Sequence, residues 1–108
     1  MIGLVALLIS LLLPPAALAS HLDTPKCRRD LAMAGQLVDG IAMRENSVKP
    51  GDIAGLCRLL RKNLPEMITS RDAMDRCLTG HDHGENVGQM DASIDDIRYV
   101  LRTKCGGR

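Results

Sequence analysis

The sequence predicts an all-α fold: a small up-down bundle of three helices, with four as the alternative, stapled by two disulfides. Three observations carry this expectation. Apolar residues recur at helical spacing in three stretches, and nowhere do they alternate in the manner of a strand. Cys27, Cys57, Cys77 and Cys105 form an even set in a short chain. The first 19 residues read as an export leader, which would carry those cysteines to a compartment where bridges form.

The leader is the apolar run from Ile2 to Leu13, closed by Pro14-Pro15. Such a run suits a signal-peptide core and is shorter than the roughly 20 residues a membrane span needs. Ala17-Leu18-Ala19 fits the small-x-small cleavage pattern, so cutting is expected between Ala19 and Ser20. The segment before the apolar run departs from the pattern in having no Lys or Arg. The expected organisation is a cleavable leader over 1–19 and one helical domain over 20–108. No membrane span should remain after cleavage.

The first helix should begin at Thr24-Pro25, with Thr24 as cap and Pro25 at the first helical position. Cys27, Leu31, Ala34, Val38 and Ile41 then mark one face, and the helix should fade near Asn46. Pro50-Gly51 signals a turn. Asp52 is a good cap for the next helix, whose stripe is Ile53, Leu56, Leu60, Leu64, Met67, Met74 and Leu78. Pro65 interrupts it, and an interior proline costs about 3 kcal/mol. Asn63-Leu64-Pro65-Glu66 also reads as a fresh capping box. The apolar phase runs through the proline, however, which favours one long kinked helix from Asp52 to about Thr79. Thr79 to Glu85 (TGHDHGE) has two glycines and no apolar residue and reads as a loop. Asn86 and Gln89 form a capping box for the last helix, with Met90, Ile94, Ile97, Leu101 and Cys105 on one face. Asp91, Asp95 and Asp96 would lie in its first turns and Arg98, Arg102 and Lys104 in its last, complementing the helix dipole. Gly106-Gly107 should end it.

Charge and composition exclude several functions. The 14 basic and 13 acidic residues all follow residue 19 and leave a net charge of +1. That balance gives no electrostatic case for nucleic acid or for an anionic membrane. With one Tyr and neither Phe nor Trp, the chain lacks platforms for stacking bases or sugars. The core must be aliphatic and Met-based. So small a core is marginal by itself, which makes the bridges important.

Four cysteines allow three pairings. In an up-down-up bundle the start of each helix meets the end of the next, which predicts Cys27–Cys77 and Cys57–Cys105. A split at Pro65 would instead suit Cys27–Cys105 and Cys57–Cys77. Loop entropy is about 8 kcal/mol over two bridges in either scheme and does not choose. At ~1.5 Å rise per residue the three-helix pairing leaves end mismatches of ~6 and ~11 Å for the connections to absorb.

The most chemical-looking segment is His81-Asp82-His83-Gly84-Glu85. Alternating His with carboxylates can bind Cu²⁺, Zn²⁺ or Ni²⁺, so His81, His83, Asp82 and Glu85 are metal candidates, with a solvated polar loop as the bland reading. Met33, Met43, Met67, Met74 and Met90 could select Cu(I), but their spacing mostly matches helix faces, where Met fills cores. Helix-dipole placement accounts for Asp91, Asp95 and Asp96 without catalysis. A Cys77–His81 nucleophilic pair would require a free thiol. No Ser-centred motif or phosphate loop is present, so no catalytic residue is assigned.

The layout Cys27…Cys57…Cys77-Leu-Thr-Gly-His-Asp82…Asn86-Val-Gly-Gln-Met-Asp-Ala-Ser-Ile-Asp95-Asp96…Cys105 resembles small exported four-cysteine helical proteins encoded in alphaproteobacterial genomes. The resemblance spans nearly all of 20–108 and implies a periplasmic setting without implying an activity. In size, export and helicity the chain also resembles acid-stress periplasmic chaperones of the HdeA kind. The cysteine count departs from that family and no motif transfers. The expected function is therefore a non-enzymatic periplasmic or secreted binding or interaction module with a protein partner. The rival expectations are a metal-binding accessory protein using the His81–Glu85 segment, and an acid-stress chaperone.

Overall fold

A computed structural model describes residues 20–106; the expected leader lies outside the described residues. Three helices follow in order: α1, Pro25–Glu45; α2, Ile53–Cys77; α3, Gly80–Lys104. Each start has a local cause. Thr24 is extended, and its hydroxyl accepts from the Cys27 amide at 3.1 Å, with Pro25 opening the helix. Asp52 accepts from the Gly55 amide at 2.9 Å. A Cβ on Gly55 would lie 2.2 Å from Asp52 Oδ2, so glycine there makes room for the cap. Gly51, at φ +83°, makes the preceding turn, and Gly106, at φ +72°, follows the last helix.

Pro65 lies inside α2, which runs unbroken from Ile53 to Cys77. The three-helix pairing holds: Cys27–Cys77 with Cα atoms 5.3 Å apart, and Cys57–Cys105 with 5.8 Å. Each bridge ties the start of one helix to the end of the next, so α1 and α3 both run antiparallel to α2. The short connections and the unbroken α2 exclude the four-helix alternative and its pairing.

Two expectations fail together at α3. Residues Gly80 to Glu85 are helical, and Asn86 is not a cap but lies within the helix, where its Nδ2 donates to the Asp82 carbonyl at 2.8 Å. Low intrinsic propensity had suggested a loop. Tertiary anchoring overrides it, because Cys77 is bridged to α1 just before the helix begins, and an antiparallel strap over residues 20–22 holds Cys77 to Thr79. Asp91, Asp95 and Asp96 consequently lie in the middle of α3, not in its first turns; Asp82 is the acidic residue of the first turn.

The core is a cluster of Ile41 from α1, Leu60 and Met67 from α2, and Ile94, Ile97 and Leu101 from α3. These are the predicted stripes, and Val87 extends that of α3 by one turn. On α2 the buried face also carries Asn63 and Ser70, both fully buried. The central helix is covered by α1 on one side and α3 on the other, so its buried stripe is wider than its apolar one. Arg44 satisfies Asn63 Oδ1 by donating from Nε at 2.9 Å, and its Nη2 donates to Glu66. Ser70 returns its hydroxyl to the Glu66 carbonyl at 3.0 Å. Of the methionines, Met67 is core and Met90 packs against it, while Met43 is exposed.

Candidate functional site

The helical conformation of residues 80–85 decides what the predicted metal candidates can do. Residues two apart on an α-helix diverge by about 200°, so His81 and His83 face apart. His81 is 88% exposed and pairs with Glu85 one turn on, at 2.8 Å. His83 turns to α2, where its Nε2–H donates to Asp75 Oδ1 at 2.8 Å. Asp82 turns to the strap and accepts from the Ser20 nitrogen at 2.7 Å. The segment's candidate ligands are thus divided among three separate pairs. Among the described residues no group of three or more His, Cys, Asp or Glu side chains is placed to hold one metal ion.

The His83–Asp75 contact is one rung of a polar clasp on the outer face of α2 and α3. Arg71 donates from Nε to Asp91 at 2.9 Å and lies 3.4 Å from Asp72 and 3.5 Å from Asp75. The hydrogen bond from His83 holds the Asp75 carboxyl below its ordinary pKa, with the Arg71 charge adding to the effect. The hydrogen bond to Asp91 raises Arg71 in turn. Asp91 thus has a cross-helix partner that its sequence position did not reveal.

A second feature lies at the end of the bundle bearing Cys27–Cys77. α1 and α3 both pack on α2, but their backbones make no close approach to each other. Where α1 meets α2 at this end, the buried residues are small: Ala34, Ser70 and Ala73. Here α3 contributes one buried side chain, Val87. A groove of about 700 Å³ lies there. Leu31, Ala32, Ala34 and Gly35 of α1 form one wall, with Met74 and Leu78 beside them. Asn86 contributes from α3, and His21 and Asp23 from the strap. Arg28 also lines the groove, with its charge engaged by Asp23. The surface is therefore mainly apolar, with a few polar groups and no unengaged arginine on it.

Sequence periodicity singled out Leu31, Ala34 and Met74 only as core. Their apolar face was legible, but the failure of α3 to cover it was not.

No helix of the described residues is long and apolar enough to cross a membrane. Comparison with protein-family models, with curated proteins and with solved structures finds no match.

Proposed function

We propose that this protein is a non-enzymatic binding module of an oxidising, exported compartment, and that its groove takes an apolar or amphipathic small molecule. The observation that carries this reading is the groove itself. At about 700 Å³ it falls within the roughly 300–1,000 Å³ range of small-molecule sites, and its mainly apolar lining with a few polar groups has their usual chemistry. The Cys27–Cys77 bridge beside it supports pre-formation, since a wall that need not be ordered on binding costs less affinity. Two disulfides and a sequence-predicted leader support the exported setting.

The test is the fluorescence of an anilinonaphthalene sulfonate dye with the oxidised, folded protein near neutral pH. Saturable enhancement is expected, with competition by a medium-chain fatty acid. Gly35→Leu places a side chain into the groove from a position with nothing within 4 Å of its Cβ, and should weaken dye binding about tenfold or more by occluding an apolar site. Dye that does not bind the folded protein, or that binds Gly35→Leu equally, overturns the reading.

The α2–α3 clasp supports a second reading, an acid-opened chaperone. Protonation of Asp75 would remove the carboxylate that holds His83 and lies beside Arg71. Circular dichroism and dye binding on acidification test it; a protein with unchanged helicity and no added dye binding near pH 2 counts against it.

A further inference from the structure

Ser20, His21 and Leu22 run antiparallel to the chain between α2 and α3. The Leu22 amide donates to the Cys77 carbonyl at 2.8 Å, and the Thr79 amide donates to the Ser20 carbonyl at 3.0 Å. An antiparallel bridge pairs His21 with Leu78, and both residues line the groove. At the head of this strap the Ser20 nitrogen lies 2.7 Å from Asp82 Oδ2. That nitrogen is the atom that cutting after Ala17-Leu18-Ala19 would free. The cleavage pattern and the waiting carboxylate are independent observations, and they meet at one atom.

We propose that Ser20 and Asp82 form a processing-dependent latch: cleavage of the Ala19–Ser20 bond creates an α-ammonium that Asp82 receives, pinning the strap along the groove. The reaction is hydrolysis by a leader peptidase with one water. The water oxygen bonds to the Ala19 carbonyl carbon as the C–N bond breaks. The leader departs as a carboxylate, and both water hydrogens end on the Ser20 nitrogen as it takes up its charge. Before the cut, Asp82 accepts from a neutral amide. Afterwards it faces a full positive charge with three donors, and a hydrogen bond between two ions is the stronger kind. Asp82 also sits in the first turn of α3, where a carboxylate offsets the positive end of the helix. It therefore stands between two positive centres. The flanking imidazoles do not compete for it, because His81 is held by Glu85 and His83 by Asp75.

The latch rests on the exported setting but not on what fills the groove, and its test uses no ligand. The full chain is exported through its own leader in a Gram-negative host, and the N-terminus of the oxidised product is sequenced; Ser20 is expected. Amide exchange at Leu22 and Thr79 is then compared in three proteins: the processed chain, Asp82→Asn in it, and a chain retaining Ala19, in which the ammonium is displaced by one residue. Protection at these two amides should fall about threefold in both altered proteins, as expected for an exposed ion pair, while the Ile97 amide in the core is unchanged. High salt should erase the difference. A mature N-terminus other than Ser20, or equal protection in all three proteins, overturns the latch.

Discussion

The two ends of this bundle are built on the same plan and packed differently. Each is closed by a disulfide joining the start of one helix to the end of the next, and the two bridges span nearly equal lengths of chain, 50 and 48 residues. Toward Cys57–Cys105, Ile41, Leu60, Met67, Ile94, Ile97 and Leu101 fill the space among all three helices. Toward Cys27–Cys77 the buried residues between α1 and α2 are the small Ala34, Ser70 and Ala73, and a groove lies between α1 and α3, whose backbones stay apart along the bundle. Side-chain volume, not topology, thus separates a closed core from an open groove. Interiors are packed near crystal density, so where the chain supplies no bulk the helices either collapse or leave a recess. The strap lines this recess, and the Cys27–Cys77 bridge adjoins it.

The largest expected effect comes from the bridges. Replacing either pair by serine should cost about 4 kcal/mol in the chain-entropy account, measured by urea unfolding. The losses should be similar in total and different in place. Without Cys27–Cys77, exchange at Leu31 and Ala34 should accelerate ahead of exchange at Ile97. Uniform acceleration would show that the two ends are a single cooperative unit and dissolve the contrast.

Truncating core side chains comes next. Ile94→Ala should cost roughly 2–5 kcal/mol, because it leaves a cavity in the closed end. Leu31→Ala should cost less than about 2 kcal/mol, because its side chain borders space already open. Equal losses in urea melts would mean that the groove wall is packed as tightly as the core.

Asn63→Ala tests the polar seam between the ends. Asn63 is fully buried, its Oδ1 engages Arg44, and its Nδ2 has no partner among the described residues. Removing the side chain takes away one unsatisfied donor but strands a partly buried arginine group, so a net loss of about 1–2 kcal/mol is expected.

Acid should act first on the surface pairs. Asp75 and Asp30 both have lowered pKa values, from hydrogen bonds to His83 and Lys26 respectively. A carboxyl lowered in the folded state contributes stability above its unfolded value of 3.8 and loses it as pH falls through the folded value. Stability should therefore hold through mildly acidic pH and decline below about 4, with Asp75→Asn flattening part of that decline. The smallest effect should be Gly35→Ala. With open space around its Cβ in a helical position, it should stabilise by about 0.5–1 kcal/mol, whereas added volume at Ala73 in the packed interior should destabilise.

Much of the fold was legible because helices declare themselves locally. The Thr24-Pro25 and Asp52 starts and the stripes of α1 and α3 follow from spacing and capping chemistry, and the end-to-end logic of short connections favoured the disulfide pairing that an α2 unbroken at Pro65 then fixed. The start of α3 was not legible because Gly80, Gly84 and the absence of apolar residues argue locally for a loop. Only contacts distant in sequence, through Cys27 and the strap, make that segment helical. The same local signal gathers His81 and His83 into one flexible site, which the helix pulls apart.

By itself the sequence determined the starts of the first two helices, the order of the three and the chemical character of their faces, because these depend on residues within a turn or two of one another. Tertiary structure decided what the sequence left open: that Pro65 is carried within one helix and with it how the cysteines pair, that Asn63 and Ser70 enter the interior, and that α1 and α3 stay apart around a groove. Each depends on how three helices share space. That is set by the summed volume and hydrogen-bonding needs of residues remote in the chain, which no local pattern encodes.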